Sequence, residues 1–174
     1  MVDSDQSRMV AGSFRFGKMV YGRLAPGEEN SGKMVNELRD RAKKSAKENS
    51  VETIILDGPP GIGCPVISTV TGVDAVVIVT EPTLSALRDL ERTLGIAGKF
   101  NLKTWVVINK NDMNTDIRDR IKTFCKNRNV AIAGELPFDD RVVESMVNCK
   151  SMIEWAPESK ISKEIRNIWN VIHS

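Results

Sequence analysis

Two runs, Ala75–Val79 within DAVVIVT and Trp105–Ile108 within TWVVIN, are apolar at every position. A strand with one face in water alternates apolar with polar residues. A strand that is apolar throughout has to be buried on both faces, which is the signature of a parallel sheet. Each run is followed by apolar residues at helical spacing, first in EPTLSALRDLERTLGIAGKF after Pro82, then in DIRDRIKTFCKNR. The short run ETIILD ahead of them and the weaker VAIAGEL behind them extend the series. Strands and helices in this alternation predict an α/β fold, a mainly parallel sheet covered by helices on both faces.

The rest of the chain fits round that sheet. Residues 9–24 carry β-prone residues and a Gly-Lys at a turn, which predicts a loose N-terminal hairpin. Residues 32–48 have helical periodicity through Val35, Leu38, Ala42 and Ala46. GPPGIGCP reads as a Gly/Pro loop, and further helices are expected from about Asp139 and about Pro157. No repeat, low-complexity stretch or linker divides the sequence, so residues 1–174 read as a single domain.

Composition excludes several functions. The net charge is only +2 and the basic residues are dispersed, so nucleic acid is not an expected partner. The one histidine, His173, stands next to the last residue, which excludes a His-based triad or a multi-histidine metal site. Cys64, Cys125 and Cys149 have unrelated spacings, which suits a reducing compartment rather than a disulfide framework. The opening MVDSDQSRMV has no apolar core like that of a signal peptide, and no run is long enough to span a membrane. A cytoplasmic protein without a membrane partner is expected.

In a parallel sheet, ligands bind beyond the carboxyl ends of the strands. Those ends carry Asp57 and its Gly/Pro loop, then Thr80 to Thr83, then Asn109 to Asp112, then Leu136 to Asp140. IILDGPPG has the form of a Walker B strand and switch loop. Asp57 would hold Mg²⁺ directly or through water, while Gly58 and Gly61 let main-chain N–H groups approach a γ-phosphate. NKND matches N-K-x-D, in which Asn109 would bond a base, the stem of Lys110 cover its plane and Asp112 accept from its N–H groups. The same four residues also fit an ordinary polar loop.

GEENSGK, Gly27 to Lys33, has the spacing of a phosphate-binding loop, but its chemistry fails. The residue after the lysine is Met34 where a Ser or Thr is needed for Mg²⁺. Glu28 and Glu29 would repel a polyphosphate. Either of them remains open to another role, such as positioning a metal or a partner, and Asn30 or Ser31 is a fitting helix cap.

Together, LAPGEENSGKMV, IILDGPPGIGCPVI, VVIVTEPTLSALRDLERT and VVINKNDMN resemble the MinD/ParA-type P-loop ATPases with a deviant Walker motif, in particular the subgroup with an inserted ferredoxin domain. The resemblance runs from about Arg23 to the C-terminus. It implies an incomplete P-loop NTPase-like fold, corresponding to the C-terminal part of a MinD-like nucleotide-binding domain. No G-K-[ST] and no C-x-x-C occurs, so the Walker A loop and the iron–sulfur insertion are expected to lie outside this sequence.

By this resemblance Asp57 is the Walker B carboxylate and ligand of Mg²⁺. Gly58 and Gly61 belong to the switch loop, Asn109 contacts adenine, and Pro137 lines the base pocket. Glu81, Pro82 and Thr83 match a family signature without an assigned role. Intact members are ATPases that bind ATP and Mg²⁺, and they imply a homodimer and a redox partner. The expected function is the C-terminal portion of an ATPase coupling nucleotide state to dimerisation and to an iron–sulfur domain. The chain alone is expected to hydrolyse little. One alternative is a nucleotide-independent interaction module of the same fold; a weaker one is a GTPase using NKND.

Two further expectations concern single residues. Cys64 is expected to be a small buried thiol under the switch loop, reacting slowly with alkylating agents. Ile161, Ile165, Ile168, Trp169 and Ile172 are expected to form the buried stripe of a packed last helix rather than a membrane anchor.

Overall fold

A computed structural model describes residues 7–25, 31–59 and 63–174. The chain divides into two compact units, Met1–Val73 and Asp74–Ser174.

In the first unit, strands β1 (Arg8–Phe14) and β2 (Gly17–Arg23) form an antiparallel hairpin. The turn is Arg15–Phe16, two residues before the expected Gly-Lys. Gly17 and Lys18 instead belong to the ladder, where the Lys18 ammonium donates to Ser13 Oγ across the strands at 2.9 Å. Helix α1 (Ser31–Glu48) lies on the hairpin. A Cβ at Gly22 would stand 2.7 Å from Met34 Sδ and 3.0 Å from Leu38 Cδ1, so this approach depends on glycine. Helix α2 (Cys64–Val70) packs against α1, with the Arg39 guanidinium donating to the Ser68 carbonyl. Sequence reading missed this helix: the Gly/Pro loop ends at Gly63, and Pro65 sits in the first turn, where its missing N–H costs nothing.

The expected strand at ETIILD does not form. Residues 51–59 have no regular structure, and Ile54 and Ile55 are exposed, the latter at 76%. Apolar, β-branched composition favours a strand only where a neighbour supplies the ladder. Among the described residues, no ladder includes this segment.

The second unit is the expected α/β arrangement. Strands β3 (Ala75–Thr80), β4 (Lys103–Asn109) and β5 (Ala131–Leu136) form a parallel sheet in the order β3-β4-β5. Helices α3 (Leu84–Lys99) and α4 (Thr115–Asn127) cover one face. There Val106, Ile108, Leu90, Ile121 and Cys125 are almost fully buried. Both helices start on side-chain caps, Thr83 accepting from the Ala86 N–H and Asn114 from the Ile117 N–H. Two short helices follow β5, α5 (Arg141–Val147) and α6 (Met152–Trp155), the second of which sequence reading missed.

Helix α7 (Lys160–His173) covers the other face. Its Ile168 packs with Trp105, Val107 and Ala133. A Cβ at Gly134 would collide with the Ile168 side chain, so β5 and α7 meet only because that residue is glycine. The packed-helix expectation therefore holds through Ile161 and Ile168, but its stripe needs one correction: Trp169 is 46% exposed. Its ring rests on His173 at 3.7 Å between centroids. Strands β4 and β5 slip register between Val106 and Val107: Ile132 faces Val106, but Gly134 faces Val107, leaving Ala133 as an extra residue. No helix among the described residues is long and apolar enough to cross a membrane.

Candidate functional site

At the carboxyl edge of the second unit's sheet, three strand ends are tied together. Asn109 is the last residue of β4 and half-buried. Lys110 follows in the left-handed region, φ +50°, and turns the chain sharply. The turn brings the Lys110 N–H to Asn109 Oδ1 at 3.1 Å. The Asn109 side-chain amide hydrogens have no partner among the described residues. A carboxamide in this state can still donate, and can accept through its second lone pair. That combination suits the N7 and N6–H₂ edge of adenine.

Lys110 reaches across to β3. Its ammonium is 2.8 Å from Glu81 Oε1, both side chains being 37% exposed. The EPT sequence thereby gains a structural account. Glu81 holds Lys110, Pro82 is buried, and Thr83 caps α3.

The loop after β4 is also bonded to the loop after β5. The Asn111 N–H donates to the Leu136 carbonyl at 3.0 Å, and Asn111 Nδ2 to Glu135 Oε2 at 3.3 Å. The other Glu135 oxygen is 2.6 Å from the Lys122 ammonium. Asp112 Oδ1 accepts the Phe138 N–H at 2.9 Å. Pro137 lies between these bonds and is half-buried. One residue further on, the Arg141 guanidinium grips Asp139 at 2.7 and 2.9 Å and holds its carboxyl below the usual carboxylate value.

Asn109, Lys110, Asp112 and Pro137 are thus brought to one edge, as the sequence implied. Glu81, Asn111 and Phe138 were placed at that edge by the sequence without a role of their own, and Glu135 was not placed there. Phe138 contributes a backbone N–H, which no side-chain pattern announces.

Asp57 and Gly58 belong to the other unit and are exposed. Asp57 has no partner among the described residues. A Cβ on Gly58 would stand 3.3 Å from Thr69 Cγ2. Gly61, and Gly27 to Asn30 of GEENSGK, lie outside the described residues. Lys33 is solvent-exposed, 4.0 Å from Glu37 one helical turn on. Met34 fills the space above Gly22, which gives it a packing role in place of the metal-ligating hydroxyl a phosphate loop requires.

Cys64 is not the buried thiol expected. It opens α2 and is exposed, while the helix buries Val66 and Val70 instead. Cys125 is the buried cysteine, its thiol pKa pushed up by desolvation.

A sequence model of the family described as "ParA: NUBPL iron-transfer P-loop NTPase" matches residues 30–173. The chain belongs to the MinD/ParA-type P-loop NTPase family. Among the relatives of this MinD/ParA-type chain is the uncharacterised protein MJ0578 of Methanocaldococcus jannaschii. It is 34% identical over 151 residues, which make up 87% of this chain and 49% of that protein. The chain spans about half the length of the curated relatives it matches first, 49% and 53%.

Among solved structures, the MinD cell division protein of Aquifex aeolicus superposes with a TM-score of 0.67 at 17% identity, covering 94% of this chain and 69% of that one. MinD of Pyrococcus horikoshii, solved with Mg-ADP, superposes with a TM-score of 0.63 at 17% identity, covering 81% and 56%. At these identities the structural likeness speaks for the fold alone. It is the MinD/ParA-type fold whose strand ends carry the groups described above.

Proposed function

We propose that this chain is the C-terminal portion of a MinD-like ATP-binding protein, residues 1–174 forming one part of its nucleotide-binding domain. The observation that carries the reading is Asn109. It offers a free amide at the end of a parallel strand, beside the Pro137 loop, in a chain of this family.

Adenine is the proposed base. The competing guanine reading needs both oxygens of the Asp112 carboxylate turned to the base, and one of them already accepts the Phe138 N–H.

Mg²⁺ is proposed as the companion of the phosphates. Among the described residues, no group of three or more His, Cys, Asp or Glu side chains is placed to hold a metal. Mg²⁺ is usually held by one or two carboxylates together with phosphate and water, so it needs no such group. Asp57, exposed and without a partner, is the residue that would hold it. When bound, the ion would neutralise charge developing on the phosphates. The chain's own part is then to fix the base through Asn109 and the Pro137 loop, and to offer the Asp57 carboxylate. Lys33 followed by Met34 is no substitute for a phosphate cradle, so hydrolysis by this chain alone is proposed to be negligible.

Coupling of nucleotide state to a homodimer, and to an iron–sulfur domain or redox partner, completes the proposal. The family description's reference to iron transfer supports it in kind. A second reading, an interaction module that no longer needs nucleotide, is favoured by the exposed face of α5, where Val143, Met146 and Val147 are 61–77% exposed.

Calorimetry of the 174-residue chain with Mg-ATP tests the first reading against the second. Weak binding that Asn109→Ala removes, and that Asp57→Asn makes indifferent to Mg²⁺, supports it. Absence of any adenine nucleotide binding favours the interaction module. Micromolar affinity with steady turnover overturns the proposed lack of hydrolysis.

A further inference from the structure

The carboxylate of Asp112 takes no part in an ion pair among the described residues. Its one hydrogen bond there goes 26 positions along the chain to the Phe138 N–H, at 2.9 Å. A backbone donor has a fixed direction, so this bond sets the course of the chain at Phe138, and with it Pro137 just before. Two more bonds act on the same pair of loops, Asn111 N–H to the Leu136 carbonyl and Asn111 Nδ2 to Glu135. Asn111 anchors the strand end, while Asp112 holds the first residue beyond Pro137. On the opposite side, Lys110 is tethered to Glu81. Asn109 therefore sits in a frame closed on both sides by its own three successors.

We infer that Asp112 is a positioning residue: it clasps the Pro137–Phe138 backbone beside Asn109 and so preforms the slot for a purine base, without touching the base. This rests on the nucleotide reading above and deepens it, because it changes what the NKND sequence does. In a guanine reader, the aspartate accepts from two N–H groups of the base. Here it accepts from the protein, and the loop it holds becomes one wall of the slot. The selectivity that follows is against guanine. With Oδ1 turned to the Phe138 N–H, the paired contact of both carboxylate oxygens with the N1–H and 2-amino groups of guanine is weakened.

The test compares Asp112→Ala with Asp112→Asn, both checked for folding by thermal unfolding. An asparagine oxygen can still accept the Phe138 N–H; alanine cannot. Two quantities are read by NMR on the whole chain: amide exchange at Phe138 without nucleotide, and affinity for Mg-ADP, Mg-GDP and xanthosine diphosphate with Mg²⁺. Asp112→Ala is expected to speed Phe138 exchange and weaken Mg-ADP binding, each about tenfold, the worth of one hydrogen bond. Asp112→Asn is expected to restore both to within about threefold.

Unchanged Phe138 exchange in Asp112→Ala overturns the clasp, whatever the nucleotides do. Faster exchange with unchanged Mg-ADP affinity overturns the positioning role while leaving the nucleotide reading intact. Xanthine presents a carbonyl where guanine has its amino group. A switch from guanine to xanthine in Asp112→Asn would therefore show the side chain touching the base and overturn the inference. If the wild-type chain binds none of the three nucleotides, the nucleotide reading falls, and the inference with it.

Discussion

Lys110 and Glu81 join the ends of two parallel strands, ammonium to carboxylate at 2.8 Å, in a setting only partly screened from water. The geometry is tight, but each side chain is 37% exposed, and such pairs contribute little net stability. Their coupling in a double-mutant cycle of Glu81→Gln and Lys110→Met is expected to be under about 1 kcal/mol and to shrink in high salt. A coupling of several kcal/mol, measured by urea unfolding, would place the pair in the stabilising core of the unit.

Acid should loosen the loop after β5 through Asp139. The hydrogen bond from Arg141 depresses the carboxyl pKa in the folded chain. A depressed carboxylate contributes stability that is fully present above its unfolded value, here 3.8, and is lost as pH falls through the folded value. Asp139→Asn should therefore be less stable than wild type at neutral pH, and the gap should close below about pH 4. Urea midpoints measured across that range give the check. A gap that widens in acid would reverse the sign.

The two adjacent residues Ile168 and Trp169 should behave oppositely to their sizes. Ile168 is 8% exposed against β5, and its replacement by alanine is expected to cost about 2–5 kcal/mol. Trp169, nearly half exposed, should cost less than the roughly 3 kcal/mol at which buried tryptophans begin. Thermal unfolding of the two variants ranks them. The wild-type chain should not sediment with anionic vesicles. If it does, and Trp169→Ala abolishes it at unchanged stability, α7 is a membrane helix after all.

Thiol labelling of the native chain should find Cys64 and Cys149 but spare Cys125. Both of the former are exposed; the latter is buried with its thiol pKa raised, so little thiolate is present at neutral pH. Mass spectrometry after a short alkylation, with and without denaturant, is sufficient. Labelling of Cys125 in the native chain at the rate of Cys64 would contradict the packing of α4.

The parts of this fold that were legible in the sequence are those whose signal is local. Val106 and Val107 face opposite sides of the sheet and are both buried, which only an uninterrupted apolar run can encode. The helices after Pro82 and after NKND form as their apolar spacing implied, beginning on Thr83 and Asn114, two caps that the sequence reading had not named. ETIILD misled because composition reports willingness to pair, while pairing itself depends on a strand elsewhere.

Trp169 misled for a geometric reason. At helical spacing it stands about 80° round the helix from Ile161, at the border of the apolar stripe, where periodicity alone does not decide burial. The Asp112–Phe138 bond was out of reach altogether. N-K-x-D names the side chain and its usual partner, a base, but says nothing of a main-chain donor in another loop.

The extra residue at Ala133 has one more effect. Side chains along a strand alternate like the two sides of a zip, and a single insertion exchanges the sides for everything that follows. With the slip, Glu135 falls opposite Ile108, on the side of α4, where it meets Lys122 and Asn111. Without it, Glu135 would face the apolar layer beneath α7 and leave both partners empty. Strand β5 thus changes allegiance half-way along, apolar layer first and polar edge afterwards. A further residue inserted between Gly134 and Glu135 would turn Glu135 to the other side and do more harm to the edge than most substitutions within it.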